Sequence, residues 1–157
     1  MTHSIRTVLW FNGRGREAAA FYCSLIPNSH VGAVFVSDNG GPEGNMHFEV
    51  IDLTLNGVAY QLLDAGPMFP LSECVSIMVE TPDQAETDRL WEALAADGGS
   101  HGPCGWLKDR YGLSWQVVPE EASRLLASPD REKAERVLQA VMGMGKIDLA
   151  VVQAAAA

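Results

Sequence analysis

Two glutamines stand at the same place in a repeated six-residue phrase, Gly57-Val58-Ala59-Tyr60-Gln61-Leu62 and Gly112-Leu113-Ser114-Trp115-Gln116-Val117. An amide side chain offers a donor and an acceptor, either to a small polar ligand or to a neighbouring strand. His47 and Glu49 are two apart, so a strand puts both on one face. There they make a metal-binding or base-and-orienter pair, or a solvated strand face. Cys104 lies in His101-Gly102-Pro103-Cys104-Gly105-Trp106. A histidine beside a thiol favours nucleophilic or redox chemistry, whereas a small buried cysteine in a turn performs none. Trp106 could stack on a planar ligand while Lys108 or Arg110 holds an anionic oxygen; the alternative for Lys108, Asp109 and Arg110 is an ion-paired hairpin. The loop Asn12-Gly13-Arg14-Gly15-Arg16-Glu17 presents backbone N–H groups and two arginines to an anion, but has no phosphate-loop Lys-Ser/Thr, so a turn and helix start is the simpler reading. Trp10 falls in the first strand, as core or as a cleft wall.

The elements that must position these residues also repeat. An apolar run, Thr7 to Phe11, precedes an amphipathic helix from Glu17 to Ile26, and a second run, Ser76 to Val79, precedes another from Asp83 to Ala96. Ala18, Phe21, Tyr22, Leu25 and Ile26 form one stripe on the first helix; Leu90, Trp91, Leu94 and Ala95 do so on the second. Strands are predicted over Val31 to Val36, Met46 to Leu55, Val58 to Leu63, Val75 to Val79 and Leu113 to Val118, with only short strands between Gly98 and Gly112. Asn56-Gly57 is a hairpin signal. Alternation sends Tyr60 and Trp115 to one face, with Gln61 and Gln116 on the other. In the Met46 strand, Ile51, Leu53 and Leu55 share the face of His47 and Glu49, so either a bulge shifts the register or one face runs from a polar site into core. Asp38 to Asn45, rich in glycine, is a surface loop. A third helix is predicted from Ser128-Pro129-Asp130, with the Ser128 hydroxyl as cap. Gly143 and Gly145 weaken its end and the tail from Ala154 frays.

The chain of 157 residues, 47% hydrophobic, fits a single domain over 1–157, divided into a first module at 5–65, a second at 73–119 and a helical extension at 128–150. Its net charge of −9, with eleven scattered Lys and Arg, speaks against nucleic acid and anionic membrane surfaces as partners. No run approaches the ~18 apolar residues of a membrane span, and no signal peptide is evident, which points to the cytoplasm. Three cysteines without CxxC spacing are read as reduced thiols.

Four stretches carry a family resemblance: LWFNGRGREAAAFYCSLIPNS at 9–29, DRLWEAL at 88–94, CGWLKDRYGLSWQVVP at 104–119 and KAERVLQAVMGMGKIDLA at 133–150. They resemble the PhnB-like family of the vicinal oxygen chelate superfamily, whose build is a duplicated βαβββ unit. The resemblance implies an α+β fold of paired βαβββ modules, the glyoxalase/bleomycin resistance/dihydroxybiphenyl dioxygenase fold, here with a C-terminal helix. It also implies a concave cleft completed by two modules, and a homodimer. Metal-using members of that superfamily take ligands, typically His and Glu, from the first and last strand of each module. The matching positions here are Thr7, Gln61, Ser76 and Gln116. Amide and hydroxyl oxygens do not replace imidazole and carboxylate around a catalytic transition metal. No cofactor is therefore predicted; a divalent metal is disfavoured, with His47 and Glu49 its remaining candidates. The expected function is small-molecule binding near Gln61, Gln116, His47 and Glu49, flanked by Trp106 and Trp10. The alternatives are a metal-dependent lyase, isomerase or dioxygenase, an antibiotic-sequestering resistance protein, and the demethylubiquinone methyltransferase activity by which some PhnB-like proteins are labelled. For the last, the chain has no glycine-rich strand-to-helix motif for a methyl-donor nucleotide.

Overall fold

A computed structural model describes residues 3–157. The chain divides into two compact units, one ending at Leu71 and one beginning at Ser72.

In the first unit, β1 (Thr7–Phe11) leads into α1 (Gly15–Leu25), then β2 (His30–Gly40), β3 (Met46–Leu55) and β4 (Val58–Asp64). The sheet order is β1-β4-β3-β2, with β1 parallel to β4 and the other pairs antiparallel. A two-residue turn joins β3 to β4. Asn56 and Gly57 both have positive φ, 43° and 83°, which asparagine and glycine tolerate best. Ala18, Ala19, Tyr22 and Ile26 of the first helical segment are buried with Leu9, Phe11, Ile51, Leu53 and Leu62. The expected stripe is thus rotated slightly, with Ala19 inside and Phe21 and Leu25 half-buried.

The phase change in β3 resolves without a bulge there. Register with β4 is continuous from Glu49↔Asp64 to Leu55↔Val58, and the shifts lie in β2, between Val31 and Val34 and between Ser37 and Gly40. One face of β3 therefore runs from His47 and Glu49 into the buried Ile51, Leu53 and Leu55. The irregular ladder also carries β2 to Gly40, three residues into the segment predicted as loop.

The second unit repeats the plan: β5 (Ser76–Thr81), α2 (Gln84–Ala95), β6 (Ser100–His101), β7 (Trp106–Lys108) and β8 (Ser114–Pro119), ordered β5-β8-β7-β6. Asp83 caps α2 by accepting from the Glu86 N–H at 2.9 Å. Thr87, Leu90, Trp91 and Leu94 bury its inner face against Ile77, Leu107, Trp115 and Val117. A buried hydroxyl pair, Thr81 with Thr87 at 2.5 Å, joins the end of β5 to the start of α2.

The C-terminal region departs from the single predicted helix at 128–150. It forms α3 (Glu120–Leu126), α4 (Arg131–Met142) and α5 (Leu149–Ala156). The cap of α4 is Asp130, which accepts from the Glu132 and Lys133 N–H groups at 3.1 Å, while the Ser128 hydroxyl accepts from the Asp130 N–H. The alanine tail does not fray in this structure. Asp148 caps α5 through Ala150 and Val151, the Gln84 side chain accepts from the Leu149 N–H at 2.7 Å, and Val152 and Ala156 are buried. These helices share a core of Val118, Ala122, Leu125, Val137, Val141, Ile147 and Val152 at the end of β8. Each fully buried Val or Leu contributes about 1.5–3 kcal/mol, which outweighs the weak helix propensity of Val151 and Val152.

Candidate functional site

Strand pairing sorts the candidate residues onto two different faces of the first unit's sheet. Gln61 pairs with Val8 and Asp52, Leu63 with Trp10 and Val50, and Val50 with Phe35. These residues share the face turned away from α1. His47 and Glu49 alternate with that set, and Glu49 pairs with Asp64, so they lie on the α1 side. The structure does not bring Gln61 together with His47 and Glu49. Thr7, matched by resemblance to a ligand position, pairs with Tyr60 and also lies on the α1 side; the residue across from Gln61 is Val8.

On the face away from α1, Gln61 Nε2 donates to Asp52 Oδ1 at 2.9 Å, and Arg6 Nη1 donates to the same oxygen at 2.7 Å. The Gln61 hydrogen bond, seconded by the Arg6 charge, holds the Asp52 carboxyl below the usual range. The Gln61 amide oxygen accepts no hydrogen bond from the described residues. Trp10 is half-buried, donates from Nε1 to the Gly66 carbonyl at 2.7 Å and meets Phe69 edge-on at 4.9 Å between centroids. Val8 and Phe35 stay largely exposed, at 52% and 59%.

On the α1 side, a pocket of about 460 Å³ gathers the Asn12–Glu17 loop with His47, Glu49, Asp64 and Gly66. The sequence offered this loop as an anion site, and the anion proves internal. Asp64 accepts from the Gly13 N–H through Oδ1 and from the Gly15 N–H through Oδ2 at 2.6 Å, so its carboxylate occupies the N-terminus of α1. Gly15 suits this close fit: a Cβ there would lie 3.0 Å from the Asp64 side chain and from Ile51 Cδ1. His47 and Glu49 are likewise engaged. His47 Nδ1 lies 2.6 Å from Asp38 Oδ1, and Glu49 Oε2 accepts from Arg16 Nε at 2.6 Å; His47 Nε2 and Glu49 Oε1 are 3.9 Å apart. The Asp38 hydrogen bond raises the His47 pKa, and the Arg16 guanidinium lowers that of Glu49. Among the described residues no group of three or more His, Cys, Asp or Glu is placed to hold a metal ion.

In the second unit, Gln116 pairs with Met78 and Trp106, and Ser114 with Ser76 and Lys108, all on the face turned away from α2. Gln116 Nε2 donates to Ser76 Oγ at 2.9 Å, and the Gln116 amide oxygen accepts from none of the described residues. The two glutamines of the repeat are thus held alike: each amide donates one hydrogen bond to a side chain of its own sheet, and each oxygen is left as an acceptor. Lys108 Nζ donates to Glu73 Oε1 at 2.5 Å, and Arg110 to Asp97 at 2.6 Å, so both cations are ion-paired, with partners outside the hairpin that the sequence suggested. His101 stacks flat on Trp91, 4.7 Å between centroids, on the α2 side. Cys104 has φ 56° and places Sγ 3.5 Å from Met142 Sδ. Trp106, Lys108, Cys104, Ser114 and Met142 line a cavity of about 560 Å³.

Sequence reasoning missed Asp64 and gave Asp109 too small a role. Asp109 is 2% exposed; Oδ1 accepts from the Tyr111 and Leu113 N–H groups at 2.8 and 3.0 Å, and Oδ2 from Trp115 Nε1 at 2.8 Å. It closes the turn into β8 and fixes the indole next to Gln116. Its signal was the spacing Asp109-x-x-Gly112 directly before the repeat; that of Asp64 was a glycine-flanked helix start with unpaired N–H groups and no capping side chain of its own.

The donor set does not fit the metal centre of the wider fold. The side chains on the relevant faces of the first and last strands include Val8 and Gln61 in one unit, with Arg6 just ahead of the first strand, and Ser76, Met78 and Gln116 in the other. Amide and hydroxyl oxygens beside a guanidinium are poor ligands for a catalytic transition metal.

A family model described as 3-demethylubiquinone-9 3-methyltransferase matches residues 3–118. Among solved structures, the chain is similar to a PhnB protein of Bacillus cereus, provisionally named a 3-demethylubiquinone-9 3-methyltransferase. That likeness has 28% identity and a TM-score of 0.62, over 74% of this chain and 99% of the other. The fosfomycin resistance protein FosX of Listeria monocytogenes, complexed with Mn(II) and a sulfate ion, aligns at 11% identity and a TM-score of 0.52, over 80% and 98% of the two chains. Glyoxalase I of Leishmania major aligns at 12% and 0.52, over 88% and 98%. At such identities these two show the fold alone, the α+β glyoxalase/bleomycin resistance fold, to which this chain adds C-terminal helices. Comparison with curated proteins gives no significant match.

Proposed function

This chain belongs to the family described as 3-demethylubiquinone-9 3-methyltransferase, the PhnB-like branch of the vicinal oxygen chelate fold, and from that membership we propose that it binds a small, partly apolar organic molecule without a catalytic transition metal. Gln61 and Gln116 are the polar anchors, each for the face of its own unit's sheet, turned away from α1 in the first and from α2 in the second. One observation carries this reading. Both glutamines are oriented by donating to a neighbouring side chain, Asp52 or Ser76, and both keep an amide oxygen on offer. Neutral acceptors beside Trp10 and Trp106 suit O–H or N–H donors on a ligand with an apolar body. His47 and Glu49 lie on the opposite face from Gln61, held by Asp38 and Arg16, and are assigned to the α1 end of the sheet.

Binding by a homodimer in the cytoplasm completes the proposal. Exposed Val8 and Phe35 on the first sheet support self-association, and the free Cys23, Cys74 and Cys104 suit a reducing compartment. None of the described helices is long and apolar enough to cross a membrane. Light scattering after size exclusion tests the dimer.

The binding reading is tested by a thermal-shift screen of small molecules on the wild type and on Gln61→Leu and Gln116→Leu. Ligands whose stabilisation disappears in either variant support it; ligands that stabilise all three proteins equally overturn it. Calorimetry with S-adenosylmethionine tests the methyl-transfer activity in the family's name, and no heat of binding is expected.

A further inference from the structure

The 560 Å³ cavity of the second unit has a wall that the family match does not reach. Met142 closes it from the end of α4, and residues 119–157 lie beyond the matched 3–118. That wall is tied down by backbone bonds: the Cys104 N–H donates to the Met144 carbonyl at 2.8 Å and the Gly105 N–H to the Gly145 carbonyl at 2.7 Å. Gly105, at φ +80°, has no room for a side chain, since a Cβ would sit 2.8 Å from the Val117 carbonyl oxygen. The cavity is therefore held open by rigid parts and lies within the size range of small-molecule sites.

Its polar groups are few. Ser114 is 2% exposed, and its Oγ has no hydrogen-bond partner among the described residues. A buried hydroxyl without a partner is rare in proteins and marks a place where one is supplied from outside. Lys108 is its cross-strand neighbour on β7. The ammonium is held by Glu73 in an ion pair whose side chains are 36% and 68% exposed. Exposed pairs are weak, so Lys108 can exchange Glu73 for a ligand oxygen at little cost. Ser100 and His101 also line the cavity, and its other walls include Pro103, Cys104, Trp106 and Met142, which are apolar, planar or soft, and sulfur packs well on aromatic rings.

We propose that this cavity, completed by the C-terminal helices, is a binding site for a compact aromatic carboxylate, its ring between Trp106 and Met142 and its carboxylate accepting from Ser114 Oγ and Lys108 Nζ. The proposal rests on the reading that the face carrying Gln116 takes a small molecule, and gives that face a ligand class.

The test is isothermal titration of the full-length protein with 1-naphthoate, with 1-naphthalenemethanol as the uncharged comparison. One molecule of naphthoate should bind per chain, at least tenfold tighter than the alcohol. Ser114→Ala and Lys108→Met should each weaken naphthoate at least fivefold. The melting temperature of free Ser114→Ala should equal or exceed that of the wild type, because the substitution removes an unmatched buried hydroxyl; a hydroxyl with a structural role would lower it. Met142→Asp, at an exposed position, should abolish binding by repelling the ligand carboxylate while leaving the protein folded. Absence of naphthoate binding, or binding unchanged in Ser114→Ala and Met142→Asp, overturns the proposal. If naphthoate binding survives those two substitutions but is lost in Gln116→Leu, the cavity assignment fails and the wider reading of that face stands. If the screen yields ligands that ignore both glutamines, the wider reading fails on its own.

Discussion

Replacing Asp109, in the turn before the strand that carries Gln116, by alanine should be strongly destabilising. The carboxylate is buried and accepts from three N–H groups. Without it the Tyr111 N–H, part-buried, can turn to water, but the Leu113 N–H and Trp115 Nε1 stay buried. Each buried donor left unmatched costs about 1–3 kcal/mol, so the loss is about 4 kcal/mol. For a chain of this length that lowers the melting temperature by on the order of 10 °C. Asp109→Asn should not be mild. Its oxygen can serve Tyr111 and Leu113, but its NH2 group then faces Trp115 Nε1, donor against donor, for a cost of about 2 kcal/mol. Trp115→Phe removes that conflict, so Asp109→Asn should cost clearly less in a Trp115→Phe background than alone, although Phe itself destabilises. Urea unfolding of the four proteins of this cycle measures the coupling. Additive effects, or an Asp109→Ala cost under about 1 kcal/mol, would refute the placement of the carboxylate under the indole.

Asp64→Ala should cost about 2–3 kcal/mol by removing the charged acceptor of two N–H groups at the start of α1, and should speed hydrogen exchange at Gly15 above all; unchanged exchange there would contradict it. His47 should titrate above its ordinary value of about 6.5, because its hydrogen bond to Asp38 favours the imidazolium. Its folded-state pKa is raised, so the stabilisation is complete below the unfolded value and is lost as pH rises through the folded one. NMR titration should show the raised value returning towards about 6.5 in Asp38→Asn, and an unaltered titration in that variant would count against the pairing. Arg16→Gln should likewise raise the depressed Glu49 pKa, read from the same spectra.

The order of the main elements along the chain and the β3–β4 hairpin were legible because short-range signals agreed with one another. The repeated hexapeptide located β4 and β8, Asn56-Gly57 located the turn between β3 and β4, and amphipathic spacing located α1 and α2. Pairing across strands was not legible. Placing Gln61 opposite Asp52, and Glu49 opposite Asp64, depends on the register between β3 and β4, and that register separates residues which the sequence grouped into one site. The capping of α1 by Asp64, 49 positions away, is non-local in the same sense. Helix α3, seven residues long, is too short for periodicity to reveal, and α5 depends on Gln84 of α2, a tertiary contact that overrides the propensity of its valines. The segment 98–112 yielded only short strands, yet β7 contributes Trp106 and Lys108 to the cavity.

The central claim is that Gln61 and Gln116, each on its own sheet, are anchors for organic ligands and not for a catalytic metal. Its most direct test is the metal content of protein purified without chelator, followed by melting curves after loading with manganese, zinc, nickel or iron. A metal at about a hundred times its Kd would add about 2.7 kcal/mol, roughly 5–10 °C in melting temperature. Far less than one metal per chain and no such rise are expected. One metal per chain, with a rise of that size that disappears in Gln61→Ala or Gln116→Ala, would contradict the claim.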